Sequence, residues 1–180
     1  MKSSSRNIAQ IALMVSIIAI CAQIAIPIGG VPMTLQTFAI ALCGYLYGMQ
    51  NGILTVSVYL ALGILGMPIF TGFAGSAAVL FGPTGGFLFG FLPFVLCCGC
   101  TKNIRSPFGL YLFSLIGLVI CHIIGISYFS FLSKIPWISA WLTTSFPYFL
   151  KDILSLLFAH ILTKKIRQRL PHLFLFRNQT

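Results

Sequence analysis

The sequence predicts an all-α integral membrane protein, a single bundle of six transmembrane helices over residues 1–180, and three observations carry that reading. The first is apolar content: 58% of residues are hydrophobic, 14% are aromatic, and the mean hydropathy is +1.02. The second is the scarcity of charge. Charged residues make up 7% of the chain, whereas a soluble domain carries roughly 25%. So few charges cannot clothe a water-facing surface, which excludes a globular cytosolic enzyme, and the apolar richness excludes disorder. The third is placement: the eleven Lys and Arg residues bunch at the ends of apolar runs, as cytoplasmic flanks do.

Six apolar segments follow in order. The first runs from about Ile8 to Ile26 and stops at Pro27; it follows Lys2 and Arg6 and is long enough for a full span. That length, and Ile20 ahead of Cys21 where a lipoprotein leader would want a small residue, favour a transmembrane helix over a cleaved leader. Pro27-Ile28-Gly29-Gly30-Val31-Pro32 reads as a turn-rich loop. The second segment runs from about Thr34 to Tyr47, and Gly48 to Gly52 turns tightly into the third, which reaches about Gly66.

Residues 67–76 and 81–86 are too apolar for a solvated loop and too rich in Gly and Pro for a span. Irregular backbone at membrane depth survives only where protein covers it or where it lines a cavity, so this stretch is expected to cover a ligand. The fourth segment runs from about Phe87 to Cys100 and the fifth from about Pro107 to Leu132. Ser133 to Ser145 connects to the last, with Trp137 and Trp141 as interfacial anchors. The sixth begins near Pro147, a favoured first-turn residue, and ends at the Lys164 cluster. The two shorter segments need tilt or bilayer thinning to span.

Six crossings put Lys2, Arg6, Lys102, Arg105, Lys164, Lys165, Arg167, Arg169 and Arg177 on one side and only Lys134 and Lys151 on the other. That asymmetry places both termini, residues 1–7 and 171–180, in the cytoplasm of a multi-pass protein of the inner membrane. The same positions argue against a nucleic-acid partner, for which there is no motif. The Gly-rich loops and the start of the sixth helix then share the outer face.

Asp152 is the chain's only acidic side chain, expected one turn into the sixth helix beside Lys151. An ionisable group in a span costs about 2.5–3.5 kcal/mol at the centre on insertion scales, less near the interface, and is a functional hypothesis by default. Its oxygens can accept N–H groups from a polar ligand while Lys151 receives an anion; the alternative is an interfacial Lys151–Asp152 pair with no ligand. Gln36, with Thr34 and Thr37, starts the second helix on the same side, and an amide facing lipid would be unsatisfied. Thr34 is also a plausible helix N-cap. His122 and His160 lie in spans without metal-ligand spacing and are expected to be satisfied within the bundle. Cys21, Cys43, Cys97, Cys98, Cys100 and Cys121 all lie in apolar stretches and read as buried small hydrophobes, with no metal site. No P-loop and no carboxylate pair exist for ATP hydrolysis or acid–base work. On the first helix Ala12 and Ser16, with Ala9 and Ala19 nearby, make a small-residue stripe that lets another helix approach closely, within the bundle or from a partner.

Ile26 to Thr37 (IPIGGVPMTLQT), Tyr59 to Phe70 (YLALGILGMPIF) and Gly82 to Phe87 (GPTGGF) resemble, in order, the signatures of the BioY family, the biotin-binding S components of energy-coupling-factor (ECF) transporters. The resemblance covers about residues 8 to 170. It implies the ECF S-component bundle, with a biotin site near the outer surface roofed by the first and third loops. It also implies delivery through a membrane coupling protein (the T component) and two ATP-binding cassette ATPases, with ATP used only by those partners and no cofactor or enzymatic activity in this chain. Asp152 matches the family's aspartate, but the family lysine three residues later is Ser155 here, and Lys151 precedes the acid instead. On a helix, i+3 shares a face with the acid, so Lys151 or Ser155 is expected to meet the ligand carboxylate. Asp152 and Gln36 would complement a ureido ring, while Tyr59, Phe70 and Phe73, with Gly75 in the loop, would wall the apolar part. The small-residue stripe on the first helix resembles the surface offered to the coupling protein. The alternative is a stand-alone transporter of biotin or another vitamin, with no dedicated ATPase module.

Overall fold

The structure is a computed structural model that describes residues 2–27, 31–101, 104 and 106–169. Gly29, Gly30, Lys102, Arg105, Arg177 and the expected tail 171–180 lie outside the described residues. The molecule is all-helical apart from one small hairpin. Seven helices follow in order among the described residues: α1 (Lys2–Gln23), α2 (Gln36–Ile64), α3 (Ala77–Leu80), α4 (Gly85–Cys100), α5 (Pro107–Ser133), α6 (Trp137–Thr144) and α7 (Phe146–Arg169). Within three of them, Ser5–Gln23, Phe108–Ser133 and Phe146–Arg169 are long and apolar enough to cross a membrane; α4 is apolar but shorter.

The first helix stops earlier than its hydropathy suggests. Ala25–Ile26 leave α1 as strand β1 and pair antiparallel with β2 (Met33–Thr34), Ala25 opposite Thr34 and Ile26 opposite Met33. Hydropathy cannot separate these states, because an apolar dipeptide before Pro27 serves a helix end and a strand equally.

The turn expected at Gly48 to Gly52 is made by Gly48 alone, at φ 76° and ψ −173° inside otherwise helical α2. A side chain is strained at that φ, and glycine is not. The reversal is sharp: a Cβ at Gly52 would sit 3.6 Å from the Gly44 Cα, where a straight helix would separate the two by about 12 Å. The two halves of α2 therefore run back to back, which brings Gln36 beside Tyr59.

Helix crossings are built from small residues. A Cβ at Gly44 would meet Cys98 Cβ at 2.6 Å, and one at Gly117 would meet Cys97 Cβ at the same distance. Close backbone approach of this kind is how helices pack where lipid removes the hydrophobic drive. Cys43, Cys98 and Cys121 are buried as small apolar spacers, but Cys97 is only half-buried and Cys100, at the end of α4, is exposed. The outside of the bundle is the reverse of a soluble protein. Leu112, Ile116, Val119 and Ile123 are exposed along one stripe of α5, a face suited to acyl chains and too large to leave in water.

Helix α5 begins at Ser106, whose hydroxyl accepts from Gly109 N, with Pro107 in the first turn. It ends at Lys134 in the left-handed region, φ 54°. The connection beyond holds α6, a helix that the sequence reading treats as linker. There Trp137 is half exposed and its indole N–H donates to Ser127 Oγ at 3.3 Å.

Candidate functional site

Near one end of the bundle, α2, α4, α5 and α7 enclose a cavity of about 140 Å³, roofed by residues 31–34 and by Phe70 and Thr71. Its walls are mostly apolar, with Phe87, Phe91 and Leu118 among them; Thr34, Gln36, Thr37, His122, Lys151 and Asp152 are among its polar groups, with Thr71, Thr84, Thr144 and Tyr148 also on the lining.

Asp152 lies in the second turn of α7 and is 4% exposed. Its Oδ2 is 3.2 Å from His122 Nε2, and Lys151 Nζ pairs with Oδ1. A carboxylate only accepts, so Nε2 is the donor toward Oδ2, and Nδ1 is paired with the Ser145 hydroxyl, 2.8 Å away. Lys151 also donates to the Thr34 carbonyl at 2.8 Å and to Thr37 Oγ1 at 3.4 Å. Lys151 meets three oxygens, two by hydrogen bonds and Asp152 Oδ1 as an ion pair. The pair is thus one junction joining α7, α5 and the first loop.

Gln36 opens α2. Its side-chain amide donates to the Tyr59 hydroxyl at 2.8 Å, which donates onward to the Ile69 carbonyl at 3.0 Å. Its Oε1 accepts from the Thr34 hydroxyl at 3.0 Å, and Thr34 Oγ1 accepts from the Gln36 backbone N–H at 3.3 Å. Thr34 therefore does a cap's work one residue ahead of the assigned N-cap, Leu35. A primary amide has two N–H donors, so the Tyr59 bond occupies one of them.

The expected binding residues divide in two. Asp152, Lys151, Gln36, Thr34 and Phe70 line the cavity. Tyr59 stands behind Gln36, fully buried, with its ring edge-on to Phe70 at 5.5 Å. Ser155 is buried on α7, but its hydroxyl donates to the Lys151 carbonyl at 2.9 Å and it does not line the cavity. Phe73 is 70% exposed at φ 56°, outside the lining. Gly75 also lies off the wall: a Cβ there would fall 2.0 Å from the Met67 carbonyl oxygen, so its place is in folding the loop back on itself. On α1, Ala9, Ala12 and Ser16 are exposed and Ala19 is partly so.

Several lining residues escape sequence reasoning. His122 is satisfied within the bundle, as expected, but its partner is Asp152, thirty positions away in sequence. Tyr148 lines the cavity and donates to the Val31 carbonyl at 2.6 Å. No spacing rule joins these residues; only its place one turn before Asp152 on the same helix marks Tyr148.

A family model described as the BioY family matches residues 1–172. A biotin transporter BioY of Thermotoga maritima is 39% identical over 127 residues, covering 70% of this chain and 75% of that one. A probable biotin transporter BioY of Pyrococcus horikoshii is 32% identical over 165 residues, covering 91% and 97%. Among solved structures, the S-component for biotin from an ECF-type ABC transporter superposes with a TM-score of 0.85 at 27% identity, over 93% of each chain. With the sequence signatures, the helical bundle and the partly polar cavity in agreement, this chain belongs to the BioY family.

Proposed function

We propose that the chain is the membrane-embedded biotin-binding subunit of an ECF-type uptake transporter, capturing biotin in the cavity beside Asp152. The observation that carries this reading is a buried carboxylate among a set of polar side chains in a largely apolar chamber, in a member of a biotin-transporter family. A carboxylate offers about four lone-pair positions, of which His122 and Lys151 take two, leaving acceptor capacity for a ureido N–H. The second N–H of the Gln36 amide suits the ureido oxygen, and Phe70, Phe87 and Phe91 suit the thiophane ring and valeryl chain. Lys151 stands beside Asp152, balancing its charge and holding the first loop. Ser155 is turned toward backbone and is not assigned the ligand carboxylate.

The wider assembly is proposed on the same footing. Six crossings follow if α1, the two halves of α2, α4, α5 and α7 each span, which the Gly48 reversal supports. Both termini then lie in the cytoplasm of the inner membrane, with the cavity on the outer side. The exposed Ala9, Ala12 and Ser16 on α1 suit close approach by a membrane coupling protein. The coupling protein works with two ATPases that alone use ATP, so this chain acts as a transport subunit, without a cofactor and not as an enzyme.

Competition against labelled biotin on the purified protein tests the assignment. Desthiobiotin, which keeps the ureido group, should displace biotin far better than lipoate, which lacks it, because a site built around hydrogen bonds rejects a ligand that leaves them unmade. Asp152→Asn should weaken biotin binding by roughly ten- to a hundredfold, the worth of a hydrogen bond to a charged group. Equal competition by the two analogues, or unchanged affinity in the folded variant, would defeat the reading.

A further inference from the structure

The opposite end of the bundle holds a second cavity, of about 300 Å³, lined by Tyr45, Thr101, Leu110, His160, Lys164 and Arg167 among others. Asp152 and Lys164 are twelve residues apart on α7, about 18 Å along the axis, so the two cavities are separate. Arg167 donates from its guanidinium to the Tyr45 carbonyl, which occupies one of five donors. His160 stacks edge-on against Tyr45 and Tyr111, with ring centroids 6.1 and 5.4 Å away, making an aromatic wall behind the cations.

No side chain of this protein can neutralise that cluster. The chain has one acidic residue, and it is bound to Lys151 and His122 in the other cavity. A walled cavity carrying Lys and Arg in a chain without a spare carboxylate calls for an anion from outside. The surroundings specify which kind. From the cavity, α5 and α7 continue into the apolar part of the bundle with Leu112 exposed on α5, and with Ile153, Leu157 and Ile161 exposed on α7, one or two turns from His160 or Lys164 and beside the cavity face, a surface fit for acyl chains. Basic pockets between helices at the membrane surface are suited to anionic headgroups, and a guanidinium fork matches phosphate oxygens in pairs.

We propose that this cavity binds the phosphodiester headgroup of an anionic phospholipid, whose acyl chains lie along the apolar faces of α5 and α7. The site is independent of the biotin assignment.

Native mass spectrometry of the delipidated, purified chain in an equal mixture of phosphatidylglycerol and phosphatidylcholine tests it. The unaltered chain should retain phosphatidylglycerol in preference by about fivefold or more, the scale of one Lys or Arg contact with an anionic surface. Lys164→Gln with Arg167→Gln should abolish the preference, with circular dichroism reporting that the helices persist. Lys165→Gln with Arg169→Gln removes the same charge from α7 residues that do not line the cavity and should keep the preference. Equal retention of the two lipids by the unaltered chain would overturn the proposal. So would equal losses in the two double variants, which would mean a diffuse basic belt. Displacement of the lipid by glycerol 3-phosphate would reassign the cavity to a free phosphate ester and overturn the lipid reading.

Discussion

Two loops roof the same cavity and are fastened in different ways. The first, whose described part is residues 31–35, is tied to α7: Lys151 holds the Thr34 carbonyl and Tyr148 holds that of Val31. Both fasteners line the cavity themselves. The loop at residues 65–76 keeps much of its shape by its own contacts. Phe70 N–H donates to the Ala74 carbonyl at 2.9 Å, and Gly75 lies against Met67. Its outside ties run to α1 and α2, where Gln23 donates to the Phe70 carbonyl and accepts from Phe73 N–H, and Tyr59 donates to Ile69. One roof is therefore strapped by groups a ligand would disturb, and the other is held by contacts that involve neither Lys151 nor Asp152. The first loop is the one expected to respond to occupancy.

The sharpest way to break that contrast is Lys151→Met. Removing Lys151 leaves the buried Asp152 with only its His122 contact, at a cost below the ~3–5 kcal/mol of a fully buried pair because the Lys151 side chain is partly exposed. Thermal unfolding in detergent should move down clearly, and hydrogen exchange at residues 31–35 should rise while residues 67–75 stay protected. Equal loosening of both loops would end the distinction. Next comes Gly75→Ala, where overpacking against a backbone carbonyl costs about 1–3 kcal/mol. Here exchange should rise in residues 67–75 and leave 31–35 unchanged. Tyr148→Phe removes one buried hydrogen bond, about 1 kcal/mol, and should speed biotin release through the first loop with little effect on the thermal midpoint. Gln23→Leu is expected to be smallest, under about 1 kcal/mol because its bonds are only partly buried, and visible only as faster exchange at Phe73.

Much of this architecture was legible beforehand because it rests on local rules. Gly48 marks the reversal since one residue must take a positive φ, and Ser106-Pro107 marks a helix start by its cap and its fixed dihedral. Asp152 stands out by being alone. What stayed hidden depends on distance in the chain. His122 reads as an ordinary histidine in a span until folding brings α5 against α7. Ser155 and Phe73 have suitable chemistry, but Ser155, on the same face as Asp152, lies one turn further along α7 with its hydroxyl spent on the Lys151 carbonyl, and Phe73 is exposed outside the lining. Helix α6 is short and sits in a connection, where eight residues with two tryptophans look the same as an interfacial linker. Hydropathy overruns the end of α1 for a related reason: Ala25 and Ile26 are as apolar as the helix before them, and pairing with Thr34 and Met33 decides their state.

The solitary acid has a practical corollary for spectroscopy. Aspartate enriched with carbon-13 at Cγ would yield one labelled carboxyl resonance from the entire polypeptide, because Asp152 is the only aspartate. Its chemical shift would report directly from the cavity that Asp152 lines, free of overlap, in detergent or in a native-like bilayer. Titrating candidate vitamins while watching that signal would convert an accident of composition into a built-in sensor of which guest the protein accepts.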